Sequence, residues 1–239
     1  MSTTTPTSLL SHILQFLSPL RFPPPPSPPS KKLKPIVVAL SGPQGSGKTT
    51  VTMKLAAALR APPYNLRVTE LSIDDLYLRR KDQQALAAAH PNNRLWQQRG
   101  QPGTHDLALA ERVFSDLRRC CSSESGQGGE EGGGEGERGG GRRGVRLPRF
   151  DKSLYGGAGD RVFPRGDGNG SPGGSEGGDQ AWEEAEEVGC VDVLLFEGWC
   201  VGFRALPDSQ VDESLGRGNP LNSLLQVNRA LRAYDALTR

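Results

Sequence analysis

Residues 36–50 read IVVALSGPQGSGKTT, and this stretch decides the fold. Its first five residues, IVVAL, are apolar and rich in β-branched side chains. That length and composition predict a short strand buried on both faces. Gly42-Pro-Gln-Gly-Ser-Gly-Lys48-Thr49 follows and matches GxxxxGK[ST]. Glycines let the main chain curl so that several N–H groups face one anion. From Thr49 onward, Val51, Leu55 and Leu59 recur at i, i+4 and i+8, which predicts a helix over 49–60. The positive N-terminal end of that helix would add to the anion site. Gly42, Pro43, Gln44, Gly45, Ser46, Gly47, Lys48, Thr49 and Thr50 are therefore candidate nucleotide-binding residues. Lys48 would reach the β- and γ-phosphates of ATP, and the Thr49 hydroxyl would ligate Mg²⁺. A purely structural glycine turn is the competing reading. The predicted strand before it and helix after it argue against that.

A phosphate loop does not say what receives the phosphate. Residues 67–73 predict a second strand, and Asp74 and Asp75 follow it in SIDDLY. A carboxylate at the C-terminal end of a strand faces the crevice where α/β sheets bind ligands. There it could accept the proton of an attacking hydroxyl. The alternative is a cap on the next helix, over 79–90, which Pro91 stops. Residues 191–196, VDVLLF, predict another strand, with Glu197 after it in the position of a Mg²⁺-side carboxylate. Gly198 would allow close backbone approach. Leu107, Ala110, Val113, Phe114 and Leu117 mark a helix, with Thr104 as N-cap and Asp106 in its first turn. Leu224, Val227, Leu231 and Tyr234 mark the last one. Strands alternating with helices predict an α/β fold with a parallel sheet flanked by helices.

Residues 145–160 look like a polar loop. With Arg161 they carry cations suited to an anionic substrate, because arginine pairs carboxylates bidentately. Arg149, Asp151, Lys152 and Arg161 are substrate candidates from this stretch, and His105 is another. By charge pattern alone a solvated loop is the simpler reading. Trp96 and Trp199 suit packing better than stacking.

The chain has 239 residues, with 31 glycines and 19 prolines. The excess is clumped. Residues 1–34 form a low-complexity arm with a short helix-like segment and a proline run, PPPPSPP, at 23–29. Glycine-rich insertions occupy 122–144 and 166–178 and are expected to be disordered. Removing these leaves roughly 170 residues, the size of one domain. One domain is thus expected over 35–239, interrupted by two insertions. The proline run suits a spacer more than an SH3-type partner site. A net charge of +2 gives no electrostatic reason to expect nucleic acid or acidic lipid. No apolar run approaches the ~20 residues of a membrane span. The four cysteines form no CxxC pair, which favours a reduced, cytoplasmic setting. The first basic residue is Arg21, so an arginine-rich transit peptide is the less favoured reading.

Six segments together resemble the D-glycerate 3-kinase family, and most closely its fungal ATP-binding kinase-like branch. They are SGPQGSGKTT (41–50), LSIDDLYL (71–78), RGQPGTHDLAL (99–109), PRFDKSLYGGAGDR (148–161), LLFEGWCVGF (194–203) and VNRALRAYDAL (227–237). The family belongs to a wider group with uridine kinase and phosphoribulokinase. The resemblance implies a P-loop fold and transfer of phosphate from ATP, with Mg²⁺, to a small hydroxy acid such as D-glycerate. It implies Asp74, not Asp75, as the base, and Glu197 as an aid to Mg²⁺. Lys48, Asp74 and Glu197 are then the catalytic set. Members of that family continue past the helix matching 227–237 into another strand and an arginine-rich lid. The resemblance therefore implies C-terminal truncation here. That leaves two other functions in view: a nucleotide-binding protein without transfer activity, and a nucleoside or sugar kinase.

Overall fold

The computed structural model describes residues 35–120, 145–162, 186–212 and 218–238, together with residues 11 and 214. The arm at 1–34, its proline run and both glycine-rich insertions lie outside the described residues, residue 11 apart.

Three strands form a parallel sheet: β1 (Ile36–Ser41), β2 (Val68–Ser72) and β7 (Val193–Gly198). Their order is β1-β7-β2, so the strand latest in sequence is the central one. A bidentate pair between Arg67 and Asp192, at 2.9 and 3.0 Å, ties together the chain entering β2 and β7. Helix α1 (Lys48–Arg60) covers one face. Its Leu55, Ala56 and Leu59 pack with Val68, Val193 and Leu195. The other face carries Leu71, Leu194 and Phe196. These meet Leu109, Val113, Phe114 and Leu117 of α3 (Leu107–Cys120) and Tyr234 and Leu237 near the C-terminal end. Alternate residues of β7 therefore enter two cores, which accounts for its apolar run VLLF.

Double-sided burial belongs to β7, and the expectation of it for 36–40 is corrected. In β1 only alternate residues are shielded, and Val37 is 44% exposed. Ile36, Val38 and Leu40 pack toward α1, and among the described residues no strand pairs along the outer edge of β1.

The segment 145–160 is not a loop throughout. It contains β3 (Val145–Leu147) and β4 (Arg149–Asp151), with β5 (Asp160–Val162) pairing antiparallel to β4. β3 pairs antiparallel with β6 (Glu186–Val188), and Val145 and Leu147 join the α3-side core. Three residues, V-R-L, are too few for alternation to register against the polar sequence around them.

Helix α2 (Arg80–Ala89) is where the sequence predicts it, ending before Pro91. The cap of α3 is corrected. Asp106 Oδ1 accepts the Leu109 N–H at 2.9 Å, and its carbonyl accepts from Ala110. Thr104 instead closes the preceding turn, accepting from Gly100 N and donating to Gln101 O. Helix α4 (Leu221–Leu231) runs into a 3₁₀ segment, Arg232–Thr238, which brings Tyr234 inward. Among the described residues no helix is long and apolar enough to cross a membrane.

Candidate active site

All three parallel strands end at the same edge, and that edge gathers the sequence candidates. Glu197 on β7 is in register with Leu40 on one side and Ser72 on the other. Gly42 lies two residues beyond Leu40, and Asp74 lies two residues beyond Ser72. The glycine loop and the carboxylate turn therefore flank Glu197 at the C-terminal edge of the sheet, the usual ligand crevice of open α/β sheets.

The loop 42–47 joins β1 to α1. Gly47 caps the helix with φ 81°, a left-handed conformation that a side chain would strain. Ser46 N–H bonds to Pro43 O at 3.3 Å, and the Lys48 ammonium curls back to the same carbonyl at 3.0 Å. The first turn of α1 holds no acidic residue, so no side chain there neutralises its positive end. Thr49 and Thr50 are exposed in that turn, beside half-buried Lys48.

The two aspartates take different positions. Ser72 begins a 3₁₀ turn, Ile73–Leu76, and its Oγ accepts the Asp74 N–H. Asp75 turns back: its carboxylate accepts from Ser72 N, Phe150 N and Arg149, each at 3.2 Å. Burial pushes the Asp75 carboxyl up, and Arg149 opposes that shift. Neither aspartate caps the helix that follows, whose Arg80 N–H bonds to Asp160; Asp75 instead completes a capping box with Ser72 on the 3₁₀ turn. Asp74 faces the other way, pairing with Lys152 at 2.5 Å and accepting the Tyr77 hydroxyl. Gly198 makes room for this turn, since a Cβ there would lie 2.3 Å from Ile73 Cγ2.

Behind Asp74 lies a buried aromatic cluster. His105 stacks on Tyr77 with ring centroids 4.5 Å apart and an interplanar angle of 19°. His105 Nδ1 meets the Tyr234 hydroxyl at 2.6 Å. Burial and the Asp74 charge push the Tyr77 phenol far above its ordinary value. Burial, again with Asp74, pushes the Cys200 thiol up to about 12. Burial drives the His105 imidazole down to about 4, with Asp74 opposing.

That shift predicts an acid dependence. An unfolded His titrates near 6.5, so both states are neutral above that pH. Below it the unfolded chain binds a proton that the folded chain refuses. Stability is therefore lost as pH falls from 6.5 toward 4, by about 3 kcal/mol in all. Urea denaturation across this window is expected to show a shallower loss in His105→Gln than in the parent. Equal slopes would remove His105 as the source.

The remaining substrate candidates separate by position. Lys152 and His105 both lie at Asp74. Arg149 sits one step back, on Asp75. Asp151 bonds to Ser153 N and Oγ at 2.8 and 2.6 Å and does not join the Asp74 cluster. The Arg161 side chain is 2% exposed. It donates to Tyr77 O at 2.9 Å and to Asp106 at 3.1 Å, bracing the site from behind. Arg99 closes the hairpin turn, donating to Gly157 O and Ala158 O, with its guanidinium 5.6 Å from the Phe150 ring centre. Trp96 and Trp199 donate their indole N–H groups to Pro102 O and Gly100 O. Tyr77 and Tyr234 were not singled out by sequence as site residues. The one signal was a hydroxyl on the otherwise apolar stripe Leu224, Val227, Leu231, Tyr234, since a buried tyrosine needs a partner for its O–H.

The residues present suit a hard cation. Among the described residues Glu197 has no ion-pair partner, and Thr49 presents an exposed hydroxyl across the same edge. Oxygen donors of this kind fit Mg²⁺ shared with phosphates. Among the described residues no group of three His, Cys, Asp or Glu side chains could hold a metal alone.

No family model matches the chain. It is 31% identical over 232 residues to a Schizosaccharomyces pombe protein named Uncharacterized kinase mug58, covering 96% of this chain and 67% of that one. It is 31% identical over 200 residues to the chloroplastic D-glycerate 3-kinase of Arabidopsis thaliana, covering 84% of this chain and 34% of that one. The solved structure of D-glycerate 3-kinase from Cryptococcus neoformans superposes with a TM-score of 0.70 at 28% identity, covering 99% of this chain and 70% of that one. The chain thus spans about two thirds of the first relative's length and a third of the second's.

Proposed function

Because the chain belongs to the D-glycerate 3-kinase-like family of P-loop kinases, we propose that it is an ATP-dependent small-molecule kinase acting on a hydroxyl of D-glycerate or a similar small hydroxy acid. One observation carries the reading: the glycine loop and Asp74 flank Glu197 at one sheet edge.

In this reading residues 42–50 hold the triphosphate of ATP, with Lys48 on the β- and γ-phosphates and the end of α1 behind them. Thr49 and Glu197 hold Mg²⁺, which when bound neutralises phosphate charge. The acceptor hydroxyl lies at Asp74. Its oxygen bonds to the γ-phosphorus while its proton passes to the Asp74 carboxylate. The bond from that phosphorus to the bridging oxygen breaks, and ADP leaves. Lys152 and His105 line the acceptor side, and Arg149 is within the same charged patch. A carboxylate-bearing acceptor suits the Lys152 and Arg149 cations. Catalysis here is positioning and charge stabilisation more than covalent chemistry. A cytoplasmic setting accords with Cys200 being a buried thiol.

The deciding experiment is ADP release measured against a panel of D-glycerate, other hydroxy acids, nucleosides and sugars. ADP and a phosphorylated product that depend on D-glycerate, both absent in Lys48→Ala, are expected. ATP binding with no acceptor-dependent ADP would favour a binding protein without transfer activity. Turnover confined to nucleosides or sugars would reassign the acceptor.

A further inference from the structure

The Tyr234 hydroxyl oxygen accepts the Gly103 main-chain N–H at 2.9 Å. A phenolic oxygen has two acceptor positions and one proton. With Gly103 donating to the oxygen, the phenol proton needs an acceptor, and the one acceptor among the hydrogen-bond partners of Tyr234 in the described residues is His105 Nδ1, 2.6 Å away. Nδ1 is then an acceptor, and the single ring proton of a neutral His105 sits on Nε2.

That Nε2 is buried and has no hydrogen-bond partner. His105 as a whole is 4% exposed, so water does not readily satisfy it. A buried polar group left unpaired costs about 1–3 kcal/mol. Such orphans are rare in folded proteins and call for a partner. The ring is gripped on one face by Tyr77 and edge-on by Tyr234, with centroids 4.5 and 5.5 Å away. It is thus held in place with a donor to spare. The Tyr77 that stacks on it also hydrogen-bonds Asp74, and the Asp74 charge acts on His105 directly.

We propose that Tyr234 is a positioning residue that locks His105 as the Nε2–H tautomer, and that this N–H donates to an acceptor oxygen of the substrate bound at Asp74. The inference rests on the kinase reading and deepens it. It assigns His105 a neutral donor role, specific for a hydroxyl or carboxylate oxygen on the acceptor molecule and indifferent to ATP. A site with a fixed buried donor discriminates strongly against an analogue lacking the matching oxygen, because the donor is then left unpaired.

Two measurements on the full chain test it. In nitrogen-15 NMR of the histidine rings, His105 is expected to show a proton on Nε2 and an acceptor-type Nδ1, with the Nε2 signal moving when D-glycerate is added. A proton on Nδ1, or an Nε2 signal indifferent to D-glycerate, overturns the proposal. In steady-state assays, Tyr234→Phe is expected to raise the acceptor KM about tenfold with the ATP KM unchanged, the size of one lost polar contact. His105→Gln, whose amide nitrogen can stand where Nε2 stands, is expected to retain more acceptor affinity than His105→Phe. Unchanged acceptor KM in Tyr234→Phe, or equal losses in His105→Gln and His105→Phe, also overturns it. If no acceptor is phosphorylated at all, the kinase reading fails, and the NMR arm still decides the tautomer and its ligand.

Discussion

Asp74→Asn is expected to lower kcat for acceptor phosphorylation by about 10³-fold, within the range set by removing a general base. Asparagine keeps the shape of the side chain and can still accept the Tyr77 O–H. It cannot take up the proton of the attacking hydroxyl. The fold should survive, because the lost Lys152 pair involves a lysine side chain more than half exposed, and such pairs contribute 0–1 kcal/mol. Nucleotide affinity by calorimetric titration should not change, since Asp74 lies across Glu197 from the phosphate loop. A coupled ADP assay reading near the parental rate would remove Asp74 from the chemistry.

Arg161→Ala has the largest expected effect on stability, a loss of about 3 kcal/mol. The guanidinium is almost fully buried and joins three separate segments. It leaves from β5, reaches the Tyr77 carbonyl after the turn Ile73–Leu76, and reaches Asp106 at the start of α3. Its removal strands Asp106 without its cation and leaves a cavity between hairpin and turn. Asp106 retains partial exposure, which places the loss at the low end for a broken buried pair. For a domain of this size the melting temperature should fall by on the order of 10 °C. Lysine at 161 should recover only part of it, because one ammonium does not reproduce the planar fork. A melting temperature within a degree or two of the parent would show that the hairpin docks without this contact.

Much of the site was legible in the sequence because its signals are local. The phosphate loop depends on glycines at fixed spacing between a strand and a helix, and Gly47 needs its left-handed conformation whatever surrounds it. The Asp74 and Asp75 pair was harder. Both follow a strand, and residue type alone does not separate a base from a cap. The family resemblance named Asp74. In the structure Ser72, Phe150 and Arg149 all bond to Asp75 and draw it inward, while Asp74 pairs with Lys152.

The substrate-side residues were legible as a group but not by position. Charge in PRFDKSLYGGAGDR could not separate Lys152, which pairs with Asp74, from Arg161, which lies buried behind it. That separation is one of position in the hairpin: Lys152 lies past the end of β4, whereas Arg161 lies inside β5 opposite Phe150. Asp106 takes the cap expected of Thr104 for a reason that is also tertiary. The turn at 99–106 is pulled in against Tyr77, through Leu78 N to Thr104 O and Asp106 N to Leu76 O, and only Asp106 is then left at the helix start.

The sequence by itself determined the three parallel strands, the four helices, the glycine loop and the set of charged residues in 145–161. Each is encoded within a few residues, by spacing, by side-chain shape or by the conformational freedom of glycine. Tertiary structure alone decided that the latest strand of the sheet lies between the first two, so that Glu197 stands between the glycine loop and Asp74. It also decided that Tyr234 meets Gly103 and His105 across 131 and 129 residues of chain. Contacts of that separation depend on which face each helix turns to the sheet. No local pattern carries that information, because the burial of the whole apolar stripe selects the face and the hydroxyl goes with it.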